Sequence, residues 1–323
     1  MNLDPLAERL GSIEGVAVET SVRAAAFCTY RVGGSLAILA RVDARSALDE
    51  VVAVIAESGA PTLAIGKGSN LLVADAGFEG VALMLGEEFA EIDIEATLVT
   101  VGAGASLPVV ARATVAAGLT GFEWAVGVPG SIGGAVRMNA GGHGSDMAAS
   151  LTEVQVADFA TGLVENRTVD GLELGYRRSN IGSRQIVTQA TLVLEAASDA
   201  EAGATELKEI VRWRRAHQPG GTNAGSVFTN PPGDSAGRLI DAAGLKELRV
   251  GSAMVSEKHA NFIQADLDGS ADDVMALMVE IVDRVRSAFG VHLHAETVLV
   301  GFADKLVDHV QSTSTSEGDL EDV

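Results

Sequence analysis

The stretch Gly127-Val-Pro129-Gly130-Ser131-Ile-Gly133-Gly134-Ala-Val-Arg137-Met-Asn139-Ala140-Gly141 decides how the chain is read. It gathers glycine and proline into a segment with too little charge for a solvated linker. Glycine lets main chain approach a ligand within van der Waals distance and adopt positive φ, and successive N–H groups in such turns form concave anion sites suited to a pyrophosphate. A tight turn between buried elements is the competing reading. A second glycine loop upstream, Gly66-Lys67-Gly68-Ser69-Asn70, shifts the balance toward a large phosphate-bearing cofactor.

The flanking sequence places both loops. Residues 35–42 read as a strand, and Ser46 opens a helix with Leu48, Val51, Val52 and Ile55 on one face, closed by Gly59 and Pro61. Thr62–Ile65 is the next strand, so the first glycine loop leaves a strand end, where open sheets bind ligands. Short apolar runs at 81–85, 92–94 and 98–101, a helix over 107–117, and strands at 151–157 and 185–194 indicate a second lobe of mixed strands. The 127–142 segment is expected to cross between the lobes as a loop. Residues 196–205 read as a small, polar linker into a helix over 206–216. A further unit carries a helix near 235–243 and a long helix after Ser270, with Asp273 in capping-box position and Val274, Leu277, Met278, Ile281 and Val285 as its apolar stripe. The resulting divisions are an N-terminal extension (1–20), lobes at 21–85 and 86–197, a third domain at 198–303, and a tail after residue 304 expected to be disordered.

Hydrophobic residues make up 47% of the 323 residues and aromatics only 4%, so a sizeable core must rest on Ala, Val, Leu and Ile. The net charge of −21 argues against general affinity for nucleic acid or anionic membranes and leaves room for a local basic pocket. Cys28 is the single cysteine, which excludes an internal disulfide and a Cys-cluster metal site, and a cytoplasmic location is expected. The first residues show no basic segment followed by an apolar stretch, so secretion through a signal peptide is not expected, and no uninterrupted apolar run reaches membrane length.

Some patterns mislead. Gly102-Ala-Gly104 imitates a dinucleotide fingerprint, but Leu107 stands at the third glycine position and Pro108 follows. Gly66-Lys67-Gly68-Ser69 lacks the spacing of a P-loop. His292 and His294 read as one face of a strand without a third ligand, so no metal site is assigned.

Three segments carry candidate chemistry. Tyr176-Arg177-Arg178-Ser179 sets two guanidiniums beside an aromatic ring, Gly225-Ser226-Val-Phe228-Thr-Asn230-Pro231 puts a hydroxyl after a glycine, and Glu296 interrupts an apolar strand. Taken singly, a surface basic turn, an ordinary turn and an exposed strand face would account for them.

Together and in this order, the segments resemble the UDP-N-acetylenolpyruvoylglucosamine reductase family. The resemblance runs from Thr29 to Gly301. It rests on Thr29-Tyr-Arg31-Val-Gly33-Gly34, Gly66–Leu71, Gly127–Gly141, the Tyr176, Ser226 and Glu296 segments, and His259-Ala-Asn261-Phe262-Ile263. It implies an α+β fold: a two-lobed FAD-binding domain of the vanillyl-alcohol-oxidase (PCMH) type, with a C-terminal α+β substrate-binding domain. The short spacing from Tyr176 to Ser226 resembles the branch lacking a tyrosine lid, with a relatively open cleft.

For the site, the resemblance implies FAD held by Arg31, by Gly66, Lys67, Gly68, Ser69, Asn70 and Leu71, and by Gly127, Pro129, Gly130, Ser131, Gly133, Gly134, Asn139, Ala140 and Gly141. NADPH is the implied electron source and UDP-N-acetylglucosamine enolpyruvate the implied substrate, bound by Tyr176, Asn230 and His259. A soluble, monomeric protein acting in peptidoglycan biosynthesis is expected. The same resemblance implies that hydride would pass from FADH2 N5 to the substrate's β-carbon, so that negative charge would accumulate on the conjugated carboxylate. Arg177 meets that charge through two bonds. Glu296 either stabilises it as the neutral acid or, ionised, orients Arg177 or a water. Ser226 is the implied acid that would protonate the α-carbon. One departure stands out: where the family often has arginine two residues after the glutamate, this chain has Val298, with Arg238 and Lys246 as candidate replacements. His294 and Ala295 stand where Glu and Pro are common. A flavin oxidase of another small molecule and a flavin- or nucleotide-binding module without turnover are the alternatives.

Overall fold

The computed structural model describes residues 2–312. The first lobe is a four-stranded sheet in the order Val16–Arg23, Ser35–Val42, Phe78–Leu85, Thr62–Ala64, antiparallel at its first pair and parallel thereafter. Helices α1 (Asp4–Gly11) and α2 (Leu48–Ser58) bury Leu10, Val51, Val52 and Ile55 against one face, while Leu39, Leu63, Ile65 and Ala82 fill the other. Strands covered on both faces read as continuous apolar runs, which is the pattern of 35–42 and 81–85. Gly59 ends α2 in the left-handed conformation, as its position predicts. The residues set apart above as an extension belong to this lobe, because Val16–Arg23 is its edge strand and α1 packs into its core.

The second lobe is a five-stranded antiparallel sheet ordered Leu163–Thr168, Leu151–Asp158, Gln185–Val193, Leu98–Gly102, Ile92–Glu95. It carries α3 (Leu107–Ala116), α4 (Ile132–Met138) and α5 (Ala200–His217). Helix α5 begins six residues before the expected start and replaces most of the predicted linker. Four alanines at 197–204 favour helix, Asp199 caps it by accepting from the Glu201 N–H at 2.9 Å, and Gly203 lets it press against Val115 of α3. Its Ile210 joins the second lobe's core, so the third domain begins after this helix.

That third domain sets a three-stranded antiparallel sheet (Arg249–Val250, Ala253–Val255, Ile263–Ala265) against α6 (Ala236–Ala242) and α7 (Ala271–Phe289). The predicted stripe of α7 is buried throughout, Ser270 Oγ accepts from the Asp273 N–H at 3.1 Å, and Gly290 closes the helix with φ 69°. The capping box closes by half only: the Asp273 carboxylate accepts from Ser252 N–H at 2.7 Å and Ser252 Oγ at 2.8 Å, tying the helix to its sheet. Asp75 of the first lobe accepts from the N–H groups of Ala271 (3.0 Å) and Asp272 (3.3 Å), so its charge caps α7 across the domain boundary.

The expectation of disorder beyond residue 304 is corrected over its first part. Asp304–Gln311 is a helix, α8, that lays Leu306, Val307 and Val310 on the third domain's core. An apolar set at i, i+1 and i+4 behind an acidic first residue is an amphipathic helix signal. Residues 313–323 lie outside the described residues. Among the described residues, no helix is long and apolar enough to cross a membrane.

Candidate active site

After α7 the chain returns to the first lobe, and Val298–Val300 pairs in parallel with Leu71–Val73. This places Glu296 just before the strand, not within it, and makes it a meeting point of all three bodies. Its N–H donates to Val227 O at 2.8 Å, fixing it beside the Ser226 turn of the third domain. Its carbonyl accepts from Asn70 Nδ2 of the first glycine loop at 3.1 Å. Its carboxylate Oε1 lies 3.3 Å from Arg177 Nε of the second lobe. Helix α8 braces the same segment: Ala295 N–H donates to Val310 O at 2.7 Å, and Gln311 Nε2 to Thr297 O at 2.9 Å.

Arg177 sits on a tight turn closed by reciprocal main-chain bonds between Gly175 and Arg178, with a left-handed φ of 56°. Its Nη2 donates to Gly141 O at 2.9 Å, so the guanidinium is held between the second glycine segment and Glu296. Ser226 is positioned by Asn261. The Asn261 Oδ1 accepts from Phe228 N–H at 3.0 Å, its Nδ2 donates to Phe228 O at 2.8 Å, and its carbonyl accepts from Val227 N–H at 2.9 Å.

These groups border one cavity of about 740 Å³, walled by both glycine segments and by the Ser226 turn. Its charged lining is Lys67, Arg137, Arg177 and Arg214 against the single carboxylate of Glu296, in a chain of net charge −21. Burial alone lowers the pKa of Arg137 and of Arg214, which draw no compensation from a carboxylate. Half-buried guanidiniums left in this way are built to receive an anionic ligand. Burial raises the Glu296 carboxyl above its ordinary 4.5, and the Arg177 charge only partly opposes that shift.

The linkage gives a testable sign. A carboxyl whose folded pKa is raised stabilises the protein below its unfolded value, and that contribution is lost as pH rises through the folded value. The melting temperature of Glu296→Gln minus that of wild type is therefore expected to increase from pH 4.5 upward, whatever constant offset the altered pair with Arg177 introduces. A difference that stays flat or declines across this range contradicts the burial effect.

The chain matches the family described as "FAD binding domain" over residues 36–167, and that described as "UDP-N-acetylenolpyruvoylglucosamine reductase, C-terminal domain" over 217–300. A relative named UDP-N-acetylenolpyruvoylglucosamine reductase 2, from Symbiobacterium thermophilum, is 40% identical over 303 residues, spanning 93% of this chain and 98% of its own. The chain belongs to the UDP-N-acetylenolpyruvoylglucosamine reductase family. It is an FAD-dependent oxidoreductase. The reductase of Bacillus subtilis is 36% identical over 276 residues, covering 84% of this chain and 90% of that one. The solved reductase from Thermus caldophilus superposes with a TM-score of 0.76 at 38% identity, covering 88% of this chain and 99% of its own.

In this reductase the cavity is lined by Gly66, Lys67, Gly68, Ser69, Asn70, Leu71, Gly127, Pro129, Gly130, Ser131, Gly133, Gly134, Ala140 and Gly141, together with Arg177, Ser226 and Glu296. FAD fits this wall, where single and paired glycines bring backbone to the cavity beside Lys67, Arg137 and Arg214, cations with no ionic partner among the described residues. The glycines serve closeness more than unusual backbone. Positive φ occurs at Gly68, not at the five glycines of 127–141, and the seven residues before Asn139 (Ile132–Met138) form α4 instead of an open loop. A Cβ at Gly68 would strike Phe27 O, and one at Gly66 would strike Ser131 Oγ, the hydroxyl that caps α4.

Arg31, Asn139, Tyr176, Asn230 and His259 do not line the cavity. Arg31 is exposed. Asn139 is buried, ends α4 with φ 38°, and holds the Arg177 turn by donating to Gly175 O at 3.0 Å. Tyr176 is 60% exposed and lies beneath its neighbour's guanidinium. Asn230 accepts from Ala236 N–H at 3.1 Å at the start of α6, and His259 Nδ1 accepts from Asn261 N–H at 3.2 Å. Arg238 and Lys246 do not replace the absent arginine at 298: they pair with Asp234 and Asp241, away from the cavity. His292 and His294 lie outside any strand, and no metal cluster occurs among the described residues. Sequence reading missed Arg137, His143, Trp213, Arg214 and Gln218. Arg137 alone carried a signal, as the lone charge inside the glycine segment.

Proposed function

We propose that this enzyme reduces the enolpyruvyl double bond of UDP-N-acetylglucosamine enolpyruvate to give UDP-N-acetylmuramate for peptidoglycan synthesis, with NADPH as the source of electrons. The observation that carries the proposal is Glu296, bonded to the Ser226 turn and to the first glycine loop while its carboxyl meets Arg177 in the wall of one cavity. Bound FAD supplies the hydride relay between NADPH and the substrate.

The residues of the chain then have distinct tasks. Arg177, permanently charged and held on the cavity wall, receives the substrate carboxylate as negative charge grows on it. Glu296 holds the Nε side of that guanidinium, and its burial favours the protonated form, in which it also donates to an anion. Ser226 delivers a proton to the substrate's α-carbon. Lys67, Arg137 and Arg214 offset the phosphates of cofactor and substrate. The chain between Tyr176 and Ser226 is taken up by the strand Gln185–Val193 and by α5, which supports assignment to the branch without a tyrosine lid.

NADPH oxidation by the flavin-loaded enzyme, followed at 340 nm, tests the proposal. A rate that requires UDP-N-acetylglucosamine enolpyruvate and yields UDP-N-acetylmuramate by mass spectrometry supports it. NADPH oxidation indifferent to that substrate favours a flavin oxidase and contradicts it.

A further inference from the structure

The last turn of α5 presents an aromatic surface that the tasks above do not use. Trp213 is 46% exposed at the cavity mouth, unusual for an indole in a chain with only two tryptophans. His217 stacks on it at 4.6 Å with an interplanar angle of 18°, and His143 meets it edge-on at 5.1 Å. A hydrogen bond of 2.8 Å between His217 Nδ1 and Trp213 O fixes the stack. The neighbouring Arg214 lines the cavity without an ionic partner, and Gln218 Oε1, one turn on, is buried against the cavity wall with no hydrogen-bond donor. A flat ring and a cation on the last turn of the helix, with an unsatisfied acceptor at its C-cap, match the parts of a nucleotide: base, phosphates, and a base or ribose donor.

We infer that Trp213 is the stacking platform for the uracil base of a uridine-diphosphate sugar, with Arg214 receiving its phosphates. The assignment rests on the proposed reductase function and adds to it a specificity-determining residue. Beyond the indole, the rim carries Asp199, Glu201, Glu206 and Glu209. Such a rim repels the additional ribose phosphate of NADPH, so the platform selects the singly diphosphorylated uridine nucleotide.

Calorimetric titration of the flavin-loaded protein with UDP, and separately with NADP+, tests this. Trp213→Ala is expected to weaken UDP binding about tenfold, the scale of stacking on one aromatic ring, and to leave NADP+ binding within about threefold of wild type. Trp213→Phe should restore most of the UDP affinity. The flavin-to-protein absorbance ratio should be the same in all three proteins. Unchanged UDP affinity in Trp213→Ala overturns the inference, as does a loss confined to NADP+, and a fall in flavin content would place the indole against the cofactor instead. Wild-type protein that binds no UDP would defeat the underlying reductase assignment as well, which separates the two failures.

Discussion

Replacing Ser226 by alanine is expected to leave NADPH-driven flavin reduction at its wild-type rate and to slow reoxidation by the enolpyruvyl substrate by at least ~100-fold, the lower end for lost acid–base catalysis. The two half-reactions depend on different residues. Electron delivery from NADPH needs no proton from the protein at the substrate's α-carbon, whereas reduction of the alkene does. An unassisted hydroxyl is a weak acid, so its contribution depends on placement, and placement is what the structure supplies. Asn261 locks the main chain of Val227 and Phe228, and Glu296 N–H locks Val227 O, so the residue before them is set at the cavity wall. Removing the hydroxyl leaves these bonds in place. Stopped-flow absorbance at 450 nm resolves both steps, and two unchanged rates would remove Ser226 from the chemistry.

Valine at Gly130 or Gly134 is expected to abolish flavin retention while the protein remains folded. The choice of position matters more than the choice of side chain. At Gly68 a Cβ would collide with Phe27 O on a backbone of φ 61°, so a substitution there confounds lost folding with lost cofactor. At Gly130 and Gly134 the nearest protein atoms to an added Cβ are Ser69 Oγ at 3.4 Å and Ser131 Oγ at 3.5 Å, ordinary contact distances, and neither glycine has positive φ. Added bulk at these two cavity-lining positions meets little of the protein and enters the space assigned to the cofactor. A colourless, monodisperse variant with wild-type far-ultraviolet circular dichroism is the expected result. A yellow variant with full flavin content would move the cofactor away from this segment.

Much of the architecture was legible because local signals agreed. Helix α7 had a cap and a stripe, and both are found where the sequence put them, with Gly290 closing the helix. The first six residues of α5 and the whole of α8 were missed for one shared reason. Alanine-rich and acidic stretches look like linkers or tails by composition, yet alanine propensity and a short apolar set committed them to packing against neighbours. The pairing of Val298–Val300 with Leu71–Val73 joins segments more than two hundred residues apart, and no local pattern announces such a partner.

At the site, motif order identified which segments converge, but it did not separate ligand contacts from scaffolding. Asn139, Asn230 and Asn261 stand in motifs beside Ser131 and Ser226, and all three have side chains engaged in holding turns or helix ends. A polar residue that binds main chain and one that faces a ligand have the same sequence signature. Trp213, Arg214 and Gln218 were invisible for the opposite reason. Their helix reads as an ordinary charged surface until its last turn is seen against the cavity.

The most direct measurement is a crystal structure of the enzyme with FAD and UDP-N-acetylglucosamine enolpyruvate bound. The predicted arrangement has the isoalloxazine ring between the two glycine segments, the substrate carboxylate on Arg177, and Ser226 Oγ within about 3.5 Å of the α-carbon. A flavin bound outside this cavity, or an alkene seated away from Ser226, Arg177 and Glu296, would contradict it.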